Sequence, residues 1–326
     1  MKKVLIAILL LGLLPHASAD YIHWVDFRLS APVLRSALEL DMASQGGEQP
    51  LDWIDILALA AAWRGGTGVT VADTQRAAQA LRGDTPPERL PGMAGRYFSY
   101  YREAYGAALG GLAGHFAIRR TDPQTGEVEW IPAYGLKAFS PIAAGYPWSH
   151  YPDFGAQRSY GYARPHLGND ILGALGTPIC AVEGGTVEAL GWNRYGGWRI
   201  GIRSDDRKRY YYYAHLRKDT PYAEGLAVGQ RVQAGDVIGF MGRTGYSTQE
   251  NVNNIETVHL HFGLQLIFDE SQKECDSEIW IDVYPIIELL ASHCSSVARD
   301  PQTGRWERLY PYCDLDAEPI RSAAAR

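Results

Sequence analysis

Residues 257–264, Thr257-Val258-His259-Leu260-His261-Phe262-Gly263-Leu264 (TVHLHFGL), alternate imidazoles with apolar side chains. Successive side chains of a β-strand point to opposite faces, so this stretch predicts a strand that turns both rings the same way. Two imidazoles buried together without partners are costly. The pair therefore reads as two ligands of one metal, as one ligand and one catalyst, or as two hydrogen-bonded core histidines.

The surroundings of this strand have the texture of an antiparallel β domain. From His166 to about Phe268 short apolar runs are broken by glycine: Pro178–Val182, Thr186–Trp192, Trp198–Arg203, Lys208–His215, Val237–Gly242 and Val258–Phe268. Gly184-Gly185 stands as a tight turn between the first two. Strands this dense, with no helices between them, predict an antiparallel sheet or sandwich.

Two more histidines of this region lie in separate places. RPHLGNDI carries His166 and Asp170 four residues apart, and Pro165 and Gly168 argue for a loop leading into a strand rather than a helix. RYYYYAHLRK carries His215, and alternation puts Tyr211, Tyr213 and His215 on one face. A catalytic zinc takes three protein ligands and keeps a fourth position open. His166, Asp170 and one histidine of the HxH pair supply three; both histidines together would make a closed, structural site.

The ordered set HxxxD, Tyr213-Ala214-His215-Leu216 and His259-Leu260-His261-Phe262 resembles the lysostaphin-like, or LytM-type, zinc metallopeptidases. GTPICAVEGGTVEALG (176–191) and the glycine-spaced EGLAVGQRVQAGDVIGFMGRTGYST (224–248) stand where that family has similar segments, and the resemblance spans roughly Asp153 to Phe268. It implies that His166, Asp170 and His261 hold one Zn²⁺, with water in the fourth position, and that His215 and His259 are the catalytic histidines beside it. Tyr213 is a candidate donor to the developing oxyanion, with packing as its alternative role. No separate cofactor-binding residues are implied. Two departures stand out: the family's Phe-Gly-x-Arg is one residue longer here, as Phe154-Gly155-Ala156-Gln157-Arg158, and a polar insertion runs from Gln249 to Thr257.

The function so implied is a zinc-dependent endopeptidase hydrolysing peptide cross-links of bacterial peptidoglycan. The alternative is a catalytically silent wall-binding or amidase-activating module of the same fold. A cupin-type enzyme also carries HxH but needs a glutamate a few residues on, where Gln265 and Asp269 stand here. The bond cut, Gly–Gly or D-Ala–diamino acid, stays open.

Outside the β domain the sequence is less specific. Met1-Lys2-Lys3, the apolar run from Val4 to Leu14 and Ala17-Ser18-Ala19 read as a signal peptide over 1–19, placing the protein in the periplasm or outside the cell. No other apolar run is long enough for a membrane span. The net charge of −6, without a basic stripe, argues against nucleic acid as a partner. The oligomeric state is open.

Residues 20–137 are expected to be a helical N-terminal domain, with helices near Ser30–Ala43, Asp52–Arg64, Ala72–Arg82 and Arg96–Phe116. Residues 138–165 form an aromatic connecting segment, 166–273 the zinc metallopeptidase domain, and 274–326 a cysteine-containing appendage with a helix at Tyr284–Ser292. The chain thus reads as a mainly β catalytic domain preceded by an α-helical region, α+β overall. Of the four cysteines, Cys180 sits in an apolar strand, and the pairing among Cys180, Cys275, Cys294 and Cys313 is open.

Overall fold

In the computed structural model residues 21–273 and 277–317 are described. The expected signal peptide and Cys275 lie outside them. The helical layer follows its caps. α1 (Ala31–Ser44) begins with Pro32 in its first turn, where an N–H has no helical partner to lose. α2 (Trp53–Arg64) is capped by the Asp52 carboxylate, which accepts from the Ile54 N–H at 2.7 Å, and stops at left-handed Gly65. α3 (Val71–Leu81) opens on a reciprocal capping box between Thr70 and Asp73. The buried carboxylate of Asp41 on α1 accepts from the Trp53 N–H and the Tyr134 hydroxyl, both at 3.0 Å, and so fixes α1 against the start of α2.

The fourth helix is shorter than its aromatic periodicity predicts. α4 (Met93–Leu109) ends at Gly110, and the chain continues as β1 (Ala113–Thr121), paired antiparallel with β2 (Val128–Leu136). Residues 20–137 are therefore helical only in their first part. The helix stops at Gly110-Gly111, and a buried ion pair lies under its end. Arg209 donates to the α4 carbonyls of Gly106, which also accepts from the Gly110 N–H, and of Ala107, at 3.2 and 2.7 Å. The chain then passes so close to Glu183 that a Cβ on Gly111 would lie 1.6 Å from its Oε1.

The aromatic segment folds in as well. It supplies β3 (Trp148–His150) and a small hairpin of β4 (Gln157–Arg158) with β5 (Arg164–Pro165). There follow β6 (Asn169–Gly173), β7 (Pro178–Cys180), β8 (Gly185–Asn193), β9 (Gly197–Ser204) and β10 (Arg209–Ala214). β11 (Arg231–Val232), β12 (Val237–Phe240), β13 (His259–Leu266) and β14 (Ile279–Trp280) complete this part. The main sheet runs β11-β8-β9-β10-β13-β6-β3, with β14 added beside β13 and every pairing antiparallel. β7 and β12 pair separately.

The described part of the tail is more than an appendage. α5 (Tyr284–Leu290) buries Ile286, Ile287 and Leu290, and β17 (Tyr312–Asp314), after the β15 (Val297–Arg299) and β16 (Trp306–Arg308) hairpin, pairs with β1. Cys180, Cys294 and Cys313 are free thiols, Cys180 fully buried. One apolar cluster joins Leu34, Leu57 and Leu109 of the helices to Ile200, Phe262 and Ile287. Helices and sheet therefore share a core.

Candidate metal centre

β6 and β13 lie side by side in register, with Asp170 directly opposite His261. His166 stands on the loop before β6, held there by its N–H donating to the Ala156 carbonyl at 2.8 Å. The result is a tight triangle. His166 Nε2 is 3.0 Å from Asp170 Oδ1 and 2.8 Å from His261 Nδ1, and His261 Nδ1 is 3.1 Å from Asp170 Oδ1. Among the described residues these three form the group whose donor atoms converge as metal ligands do. Gly168 makes the approach possible: a Cβ there would lie 2.7 Å from both the His261 ring and the Phe262 carbonyl.

The chemistry of the donors fits a divalent ion. His166 Nδ1 faces Asp153, 3.1 Å from its Oδ2 and 3.2 Å from its carbonyl, which leaves Nε2 to point into the triangle. Asp170 offers Oδ1 to the triangle while Oδ2 accepts from Arg158 at 3.0 Å. Arg158 also donates to Asp153 at 3.0 Å, so the additional residue in its motif does not carry it away from the site. Burial works against a proton on His166, yet hydrogen bonds to Asp153 and Asp170 push its pKa up to about 9. Burial likewise opposes ionisation of Asp170, and the His166 and His261 contacts overturn it, holding the carboxyl well below the usual range. Two imidazole nitrogens and one carboxylate oxygen converging in this way are a donor set that suits zinc.

The other two histidines stand beside this triangle in matching states. His215 Nδ1 lies 2.9 Å from the Thr244 carbonyl, and His259 Nδ1 lies 2.9 Å from the Thr257 carbonyl. Each ring thus donates through Nδ1 to a backbone carbonyl, which leaves its Nε2 clear of that bond. His259 Nε2 is 3.7 Å from Asp170 Oδ1, and the His215 and His259 ring centres are 4.7 Å apart. Burial, then the charges of His259 and His261, hold the His215 pKa well below its ordinary value.

Tyr213 takes a different place from the one expected. It is fully buried against Phe262, and its hydroxyl accepts from the Val182 N–H at 2.9 Å, so it is a packing residue facing away from the cleft. Strict alternation fails because β10 ends at Ala214 and His215 adopts a left-handed φ of 62°. That turn swings the imidazole onto the face of Tyr212, whose ring lies 5.8 Å from His261. Tyr212, Asp153 and the orienting role of Arg158 were not readable from spacing, since each depends on a loop conformation.

A cleft opens over this face, lined by His166, Asp170, His215 and His261 together with Tyr195, Tyr212 and Trp280. Its rim is aromatic. Tyr160 from the connecting segment stacks on Tyr246 at 4.5 Å, and the Arg164 guanidinium lies 4.6 Å over Tyr195. Three convergent donors in an open cleft, with the imidazoles of His215 and His259 beside them, make a site that fits a metal ion and proton transfer next to it.

Comparison with known proteins agrees with that reading. Residues 164–274 match the profile of Peptidase family M23. Over 130 residues the chain is 40% identical to the L-Ala--D-Glu endopeptidase of Bacillus subtilis (strain 168), covering 40% of this chain and 38% of that protein. It is 38% identical over 98 residues to lysostaphin of Staphylococcus staphylolyticus, covering 30% of this chain and 18% of that protein. This chain therefore spans well under half the length of these relatives. A crystal structure described as a putative glycyl-glycine endopeptidase lytM from Ruminococcus gnavus ATCC 29149 aligns with a TM-score of 0.48 at 24% identity, covering 82% of this chain and 91% of that one.

Proposed function

We propose that the chain is a zinc-dependent endopeptidase that hydrolyses peptide cross-links of bacterial peptidoglycan. The observation that carries this reading is the triangle of His166 Nε2, Asp170 Oδ1 and His261 Nδ1 with His215 and His259 beside it, each bonded to a carbonyl through Nδ1. The family domain and the relatives named as endopeptidases support it. Zinc bound by the three donors would polarise a scissile carbonyl and lower the pKa of a water from 15.7 toward about 7.

The protein's own groups do the rest. His166 is kept in its ligating orientation by Asp153, and Asp170 by Arg158. His215 and His259, jointly, take a proton from the attacking water at Nε2 and return it to the leaving amine, the imidazolium stabilising the oxyanion in between. The aromatic rim excludes water and holds an extended peptide across the sheet face. Action on the wall requires export, for which the stretch at 1–19 is read as the leader; a mature N-terminus at Asp20, found by sequencing the secreted protein, checks this.

The test separates binding from chemistry. His166→Ala is expected to lose both zinc, read by elemental analysis, and release of muropeptides from purified sacculi. His215→Asn, which tolerates the left-handed backbone, is expected to keep zinc and lose hydrolysis. Equal zinc loss in the two variants, or no muropeptide release by the zinc-loaded protein, overturns the reading.

A further inference from the structure

The cleft carries four cations, and three of them are engaged. Arg158 is bound by Asp153 and Asp170, Lys273 by Glu188, and Arg164 donates to the Tyr160 carbonyl while lying over aromatic rings. Arg199 also lines the cleft, and among the described residues no carboxylate pairs with it. Its Nε is buried without a hydrogen-bond partner among those residues. A half-buried guanidinium left in this state is costly unless something brings it an anion.

Its place on the sheet says what that anion belongs to. In the β9–β10 register Gly201 faces Tyr212, and Arg199, two residues along β9, is on the same cleft-facing side. Ala214 of β10 pairs in turn with His261 of β13. Two inter-strand spacings, about 10 Å, therefore separate the strand of Arg199 from that of His261. An extended peptide crossing the metal centre covers that span in about three residues. The surrounding side chains, Tyr212 and Tyr222, are uncharged phenols close enough to feel its charge, so they do not neutralise the arginine.

We infer that Arg199 is a specificity-determining residue that binds a free carboxylate of the substrate peptide within about three residues of the bond cut. This rests on the peptidase reading given above. The fork of a guanidinium matches a carboxylate by two parallel hydrogen bonds, and a neutral carboxamide in the same place supplies one acceptor and no charge. The cleft would therefore select acidic stem peptides over amidated or glycine-only ones.

The probe is the tripeptide L-Ala-γ-D-Glu-L-Lys with its glutamate α-carboxylate free, and the same peptide with that group amidated. Each is titrated calorimetrically into zinc-loaded protein carrying His215→Asn, so that binding is read without turnover. The free acid is expected to bind roughly ten- to a hundredfold tighter than the amide. Arg199→Gln should erase that difference while leaving amide binding and zinc content unchanged, and Arg199→Lys should keep part of it. Equal binding of the two peptides before substitution, or an equal loss of both on Arg199→Gln, overturns the inference. If the discrimination holds but the chain with His215 intact cuts neither the peptides nor sacculi, the anion site stands and the peptidase reading falls.

Discussion

Replacing Glu183 by glutamine tests whether the helical layer and the sheet are locked by charge. Arg209 is 1% exposed and forms a bidentate pair with Glu183, Nε to Oε2 at 2.7 Å and Nη2 to Oε1 at 3.1 Å. The same carboxylate accepts from the Tyr211 hydroxyl at 2.5 Å, and Arg209 also reaches Asp206 at 2.8 Å. Burial works against the charge on Arg209, and Glu183 overrides it. Glu183→Gln leaves that buried cation with only the part-exposed Asp206. Breaking one side of a buried pair costs about 3–5 kcal/mol, and the remaining Asp206 contact puts the expectation near the lower end, about 3 kcal/mol. At about 2–4 °C per kcal/mol, the midpoint of thermal unfolding should fall by roughly 6–12 °C. Removing both partners, as Glu183→Leu with Arg209→Met, takes a partner from the Ala107 carbonyl, the Tyr211 hydroxyl and the part-exposed Asp206 but leaves no buried charge unpaired. It should therefore cost clearly less than the two single changes added together. Differential scanning calorimetry on the unaltered chain, Glu183→Gln, the two single changes and the double variant reads this directly. A Glu183→Gln shift under about 2 °C, or strict additivity in the double variant, refutes the reasoning.

Other consequences are open to measurement. Arg158→Ala frees Asp170 Oδ2, and zinc affinity measured by chelator competition should drop about 10–100-fold; unchanged affinity would remove Arg158 from the ligand-orienting role. Tyr213→Phe leaves the Val182 N–H without its acceptor, so unfolding free energy should fall by about 1–3 kcal/mol while turnover per bound zinc is unchanged. A loss of turnover would restore the hydroxyl to the mechanism. Asp73 is buried, which opposes its ionisation, but hydrogen bonds from Thr70 and Arg64 win and depress its pKa. A depressed carboxyl contributes stability above its unfolded value of about 3.9 and loses it as the pH falls through the folded value. Asp73→Asn should accordingly destabilise the protein at pH 7 and approach the unaltered chain near pH 3, as followed by urea unfolding at both values.

Much of the site was legible because its residues sit on regular strands or in a fixed loop. His259 and His261 share a face by alternation, and the β13 register then places Asp170 opposite His261. Of the two roles weighed for Tyr213 the geometry fits packing, and a single left-handed residue, His215, cancels alternation at the strand end. The helix expected through Phe116 failed for a related reason. Its aromatic spacing is helical, but the helix stops at Gly110-Gly111, where Arg209, about a hundred residues away in sequence, takes the Ala107 carbonyl. Asp153 gave no signal at all, since an orienting carboxylate has no spacing rule of its own. The second helix was readable from Asp52 and Gly65, which act locally, whereas the Thr70–Asp73 box that opens the third shows only in the structure.

The Arg209 junction also bears on how such a chain can be shuffled between proteins. A piece beginning at residue 164, where the family domain starts, would keep the arginine and Glu183 but lose the helix end they serve. It would also uncover the apolar side that meets Leu57 and Leu109. In this protein the β domain is not a portable cassette: a recombination that moved it would have to bring its helices along.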